Sequence, residues 1–172
     1  QMVRSPSELL SYPDSSVFRL LSDKRMKADK PLARELGCQV GDEWVQISGL
    51  RTLGDEGMPI CLADVYVIPE YGSIAQRLGG GSRPVYEMIA ESFKESIENI
   101  TIRLTAGVLS EQKAAILGVE PGSPSLSVSR FYEGRGGRIF EVSISEHPAS
   151  NYSYTFEFTR GWQTADHWSW NN

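Results

Sequence analysis

Two arginines and a few polar residues at strand ends are the side chains of this 172-residue chain best suited to hold a small molecule. Arg51 and Arg130 each close a stretch of alternating apolar residues. A guanidinium is a planar fork that meets a carboxylate or phosphate through two hydrogen bonds at once. Both arginines are therefore candidate anion binders. The plainer alternatives are an exposed strand position for Arg51 and an ion pair with Glu133 or Glu141 for Arg130. Tyr86 falls early in an expected helix, where backbone N–H groups favour anions. It suits a ligand oxygen or core packing equally. Glu146 and Tyr152 stand six residues apart across a loop containing Pro148. That spacing brings a carboxyl and a phenol to one site or leaves both solvated.

The motifs of catalysis are missing. There is no G-x-S-x-G elbow and no paired set of metal ligands, and Gly79–Gly81 is not followed by the Gly-Lys-Ser/Thr of a phosphate loop. Cys38 and Cys61 form neither a disulfide framework nor a zinc spacing. No enzyme, metal or cofactor is expected. The net charge is −5, and the one basic cluster, Lys24-Arg25-Met26-Lys27, is flanked by Asp23 and Asp29. DNA binding requires clustered cations to neutralise phosphates, so these residues make a poor DNA-binding surface by themselves. No run approaches the ~18 apolar residues that span a bilayer, and QMVRSPSELL lacks the pattern of a signal peptide. A cytoplasmic location is the expectation.

The elements that must position these residues come from a repeat. Ala33–Arg51, ARELGCQVGDEWVQISGLR, is echoed by Ala114–Arg130, AAILGVEPGSPSLSVSR. Setting Ala33 on Ala114 superposes Leu36 on Leu117, Gly37 on Gly118 and Gly41 on Gly122, then Val45 on Leu126 and Ile47 on Val128. Each copy reads as a short helix, a glycine stop, a glycine turn and an alternating strand. Around the copies, strands are expected at 16–26, 43–52, 58–68, 97–106, 125–132, 138–146 and 153–159. Helices are expected at 30–36, 84–95 and after Ser110, a good N-cap, with a helical turn over 70–78. The fold class is α+β: six or seven mostly antiparallel strands with flanking helices. Residues 1–15 are rich in Ser and Pro and read as a linker, 16–160 as one domain, and 161–172 as a tail whose Trp162, Trp168 and Trp170 want a surface to cover.

A-x-x-L-G-x-x-x-G, a strand ending in Arg and then GMPI, with VYEMIAESF and FEVSISEHPASNYSYTFEF in the same order, resembles the UTRA domain. That is the effector-binding half of GntR-type bacterial transcription regulators of the HutC subfamily. The resemblance implies a chorismate-lyase-like fold, a homodimer, a small anionic or polar metabolite as allosteric effector, and contact with DNA only through a winged-helix domain upstream of this chain.

Family members that sense phosphorylated sugars use an Arg-x-Arg pair, a Glu after G-x-P-I, a Ser-x-Tyr at a helix start, and a late Glu and Tyr. Here the first Arg position is Gly49 and the second is Arg51. The Glu position falls on Ala63, with Asp64 beside it. The Ser position falls on Pro84, with Ser82 nearby, and Tyr86 keeps the Tyr. Glu146 and Tyr152 match the late spacing. With Arg130, the expected ligand-binding set is Arg51, Asp64, Ser82, Tyr86, Arg130, Glu146 and Tyr152. Two other readings are a chorismate-lyase-like enzyme and a dimerisation module with a degenerate pocket.

Overall fold

A computed structural model describes residues 2–3, 16–54, 56–79 and 83–156. In chain order its elements are β1 (Met2–Val3), β2 (Ser16–Lys27), α1 (Lys30–Leu36), β3 (Glu43–Leu53), β4 (Met58–Val67), a 3-10 segment (Pro69–Arg77), α2 (Val85–Phe93), β5 (Asn99–Val108), α3 (Glu111–Leu117), β6 (Pro124–Glu133), β7 (Ile139–Pro148) and β8 (Thr155–Phe156). Strands β2 to β7 form one antiparallel sheet in the order β2-β3-β4-β7-β6-β5. The α+β expectation holds.

Two of its details change. Of the strand expected at 153–159, β8 covers Thr155–Phe156, and residues 157–172, with the three tail tryptophans, lie outside the described residues. Met2–Val3, expected to be linker, pairs in parallel with Thr155–Phe156.

The repeat is a structural one. The Asp29 carboxylate accepts the Leu32 N–H at 2.9 Å and caps α1, while the Ser110 hydroxyl accepts the Lys113 N–H at 3.3 Å and caps α3. Each helix is seven residues long. Gly37 ends α1 at φ 69°, ψ 32°, and Gly118 ends α3 at φ 70°, ψ 31°. This left-handed conformation turns the chain into the next strand and is cheap only for glycine.

The sheet carries the repeat as a pseudo-two-fold. The pair Arg51–Cys61 of β3 and β4 corresponds to the pair Tyr132–Glu141 of β6 and β7. Cys61 thus maps onto Glu141 and Asp64 onto Ile144, and Asp64 and Ile144 are direct partners across the β4–β7 boundary. The axis runs between them. By the same superposition Gly49 maps onto Arg130.

Alternation sorts the strand residues onto two faces. One face carries Phe18, Ile47, Gly49, Arg51, Ala63, Val65, Arg130, Tyr132, Glu141, Ser143 and Ser145 and is roofed by the 3-10 segment and α2. The other carries Leu50, Leu62, Asp64, Tyr66 and Glu146. There Leu50 and Leu62 join Leu109, Ala114 and Leu117 in a buried cluster that seats α3. The Tyr66 phenol is raised by burial and by Asp64, Glu35 and Asp29, which places α1 over this face as well.

Replacing Gly37 or Gly118 by alanine forces a Cβ into the left-handed region. Each variant should lose about 1–2 kcal/mol, the two by similar amounts, read as equal drops in urea midpoint.

Candidate functional site

A cavity of about 170 Å³ opens on the roofed face. Its floor is made by positions where the central strands carry little: Ala63 and Ser145 lie side by side on β4 and β7, with Ser143 one row along. Larger residues there would bring the floor up to the roof. Phe18, Val65, Tyr86, Met88 and Tyr132 form the apolar walls, and Arg77 to Gly79 with Arg83 to Val85 form the rim.

Arg51 and Arg130 both line this cavity and are both buried, 6% and 5% exposed. The exposed-strand alternative for Arg51 therefore falls. Its Nη1 donates to Ser16 Oγ at 3.2 Å, and its guanidinium lies 5.5 Å from the Phe18 ring centroid, a cation–π contact. Arg130 comes from the other half of the repeat. It hydrogen-bonds the Tyr154 phenol, and its charge acts on Glu141, Tyr86, His147 and Tyr152.

Tyr86 is the second residue of α2. It lines the cavity and stacks on Tyr132 with centroids 4.9 Å apart and planes at 17°, so the ligand-facing and packing roles coincide in one side chain. Burial pushes its phenol up to about 12, so it stays a neutral hydrogen-bonding group. Tyr152 lies flat on His147 with ring centroids 3.6 Å apart, and burial raises its phenol to about 12 while Arg130 opposes the rise. It flanks the Arg130 side of the site. His147 Nδ1 donates to the Leu126 carbonyl at 3.1 Å, and burial lowers the imidazole to about 4, so the ring is neutral.

Asp64 and Glu146 are on the opposite face, which corrects their assignment to the site. Asp64 accepts from Ser48 Oγ at 2.5 Å and from Gln46 at 3.5 Å. Glu146 is held by Lys113 Nζ of α3 at 2.7 Å and by Ser125 Oγ at 3.2 Å. The reason is strand parity: a residue one place from a floor position points the other way. Asp64 is next to Ala63, and Glu146 is next to Ser145. Ser82 lies outside the described residues.

The carboxyl that does reach the cavity is Glu141, which motif matching passed over. It is 1% exposed, and its Oε1 has no hydrogen-bond partner among the described residues. Burial pushes its acid up to about 8, with Arg130 pulling the other way. Near neutral pH it holds its proton and can donate to a ligand oxygen. Glu141 and His147 share the pocket side of β7 and stand at the same spacing of six that drew attention to Glu146 and Tyr152. Alternation from the floor residue Ser143 was the available signal. Among the described residues no three His, Cys, Asp or Glu side chains gather as a metal site would require, and no helix is long and apolar enough to cross a membrane.

Comparison with known proteins gives a consistent set of likenesses. The model of the UTRA domain family matches residues 14–153. The ligand-binding domain of a protein assigned to the GntR family of transcriptional regulators, from Bordetella bronchiseptica, superposes with a TM-score of 0.69 at 24% identity, over 86% of this chain and 92% of that one. A PhnF C-terminal domain superposes at 0.72 and 21% identity, over 90% and 94%. PhnF from Mycobacterium smegmatis superposes at 0.69 and 17% identity, over 84% of this chain and 63% of that longer chain. No curated protein matches the chain in sequence.

Glu141 makes stability depend on pH. The folded group keeps its proton up to about 8, whereas the ordinary value is 4.5. Between those values the folded state binds the extra proton, so stability falls as pH rises through that window and levels off above it. Glu141→Gln should flatten this slope in urea unfolding measured across that range. An unchanged slope would show that another group produces it.

Proposed function

The chain belongs to the UTRA domain family, and on that premise we propose that it is the effector-sensing domain of a GntR-type regulator of the HutC kind, binding a small anionic metabolite in the cavity between the sheet and α2. The observation that carries this reading is the pair of buried guanidiniums, Arg51 and Arg130, set into one small cavity from opposite halves of the repeat. Each guanidinium can meet an anion through two hydrogen bonds at once, and the protonated carboxyl of Glu141 adds a donor in the same cavity. Arg51, Tyr86, Arg130 and Glu141 form the binding set in this reading, with Tyr152 supporting Arg130 through the 149–154 loop.

The regulatory step is a population shift. A ligand that binds one conformation better moves the equilibrium toward it. In this reading the response passes to a DNA-binding domain joined upstream of residue 16. A homodimer would match the two-fold geometry of half-sites on DNA, and a cytoplasmic location would follow. The Arg130–Tyr154 hydrogen bond and the β1–β8 pairing that follows it in space offer a route from the cavity to the N-terminal segment.

The test is a thermal-shift screen against sugar phosphates, phosphonates, amino-acid breakdown products and small carboxylates. A ligand at ~100 times its dissociation constant adds about 2.7 kcal/mol, or roughly 2–4 °C for each kcal/mol in a domain of this size. Arg51→Ala and Arg130→Ala should each weaken an anionic hit by about tenfold or more, while Asp64→Ala and Glu146→Ala leave it unchanged. Equal effects from all four would remove the cavity from the function.

A further inference from the structure

Gly49 is a glycine for space and not for backbone conformation, because its φ lies outside the positive range that favours glycine. A Cβ built on it would fall within the edge of the Phe18 ring. The ring occupies the volume that any side chain at 49 would need. The pseudo-two-fold shows what such a side chain can be, since the corresponding residue in the second half is Arg130. Where that half presents a guanidinium to the cavity, the first half presents a benzyl ring lying on a bare backbone. The ring is firmly placed: Phe18 is 6% exposed and is paired across the sheet with Arg51, whose guanidinium lies over it.

This arrangement limits both charge and size. Arg51 stands on β3 and Arg130 on β6, with β4 and β7 between them. Three strand spacings of about 4.8 Å separate their backbones, so the two guanidiniums reach the cavity from separate strands and not from neighbouring positions of one strand. Of the other two arginines of the lining, Arg77 bonds Ser92 and Arg83 is paired with Glu87 and Glu91. One guanidinium meets one carboxylate through a two-pronged contact. A cavity near 150 Å³ holds a benzene-sized group, and the volume here is about 170 Å³. The walls of Phe18, Tyr86 and Tyr132 offer aromatic faces.

We propose that Phe18, seated on Gly49, makes this pocket selective for a compact, ring-sized monocarboxylate and excludes sugar phosphates. The proposal rests on the reading of this cavity as the effector site and names its ligand class.

Isothermal titration of the 172-residue chain with benzoate and with glucose 6-phosphate tests it. The wild type should bind benzoate at least about tenfold more tightly than glucose 6-phosphate. Phe18→Ala should weaken benzoate by about tenfold and erase the preference. Phe18→Leu, which keeps most of the volume and loses the flat ring, should weaken benzoate by about threefold; it carries the comparison if the alanine variant does not fold. Equal wild-type affinity for the two probes, or a preference unchanged in the Phe18 variants, overturns the proposal. Inorganic phosphate separates this failure from failure of the site. If phosphate binds in an Arg51-dependent way and benzoate does not, the anion site stands and the role of Phe18 falls. If no anion binds, both fall.

Discussion

The direct pairing of β4 with β7 is the constraint on which the rest of the molecule depends. These two strands come from different halves of the repeat, and Asp64 opposite Ile144 fixes their register. Every other strand of the six-stranded sheet is placed outward from that pair, β3 and β2 on one side and β6 and β5 on the other. A slip of one residue would turn every side chain of a half to the wrong face. It would carry Ala63 and Val65 out of the cavity lining and bring Asp64 in. The hydrophobic contents of both faces hold the register: Ile47 and Val65 pack on one side, Leu50 and Leu62 on the other.

Within that frame the two halves have diverged in chemistry while keeping their shape. The two helices have the same length and side-chain caps at the same place, and their glycine stops agree to within 1° in φ and ψ. The residues of the roofed face do not: Gly49 corresponds to Arg130, Arg51 to Tyr132, Cys61 to Glu141 and Ala63 to Ser143. The first half contributes small or apolar groups and one guanidinium; the second contributes a guanidinium, a phenol, a hydroxyl and an acid. An asymmetric pocket thus sits beside a symmetric axis. Its polar groups are deeply buried, and burial is what drives the upward shift of Glu141.

The fold was largely legible in the sequence because local signals agreed with one another. Helix α1 spans the expected Lys30–Leu36, and the glycine pairs mark both repeat turns. The site was less legible, for a reason that lies in strand geometry. A motif match that is wrong by one place on a strand selects the opposite face. Asp64 was chosen in that way, as the neighbour of Ala63; Glu146 was chosen by its spacing of six from Tyr152, and it too falls one place from a floor residue, Ser145. Arg51, Arg130 and Tyr86 were found because arginine and tyrosine at strand and helix ends carry their own chemical argument. Glu141 was considered only as an ion-pair partner of Arg130, since nothing in the local sequence shows that position to be dry. Burial is a property of the whole assembly of strands and roof.

The ladder between β1 and β8 is two residue pairs long. It sits next in sequence to Tyr154, which holds Arg130, and close to Tyr152, which lies on His147. A ladder this short opens at far lower cost than a six-stranded sheet, and opening it leaves the sheet intact. The molecule thus has a place that yields first, next in sequence to the tyrosine that hydrogen-bonds Arg130.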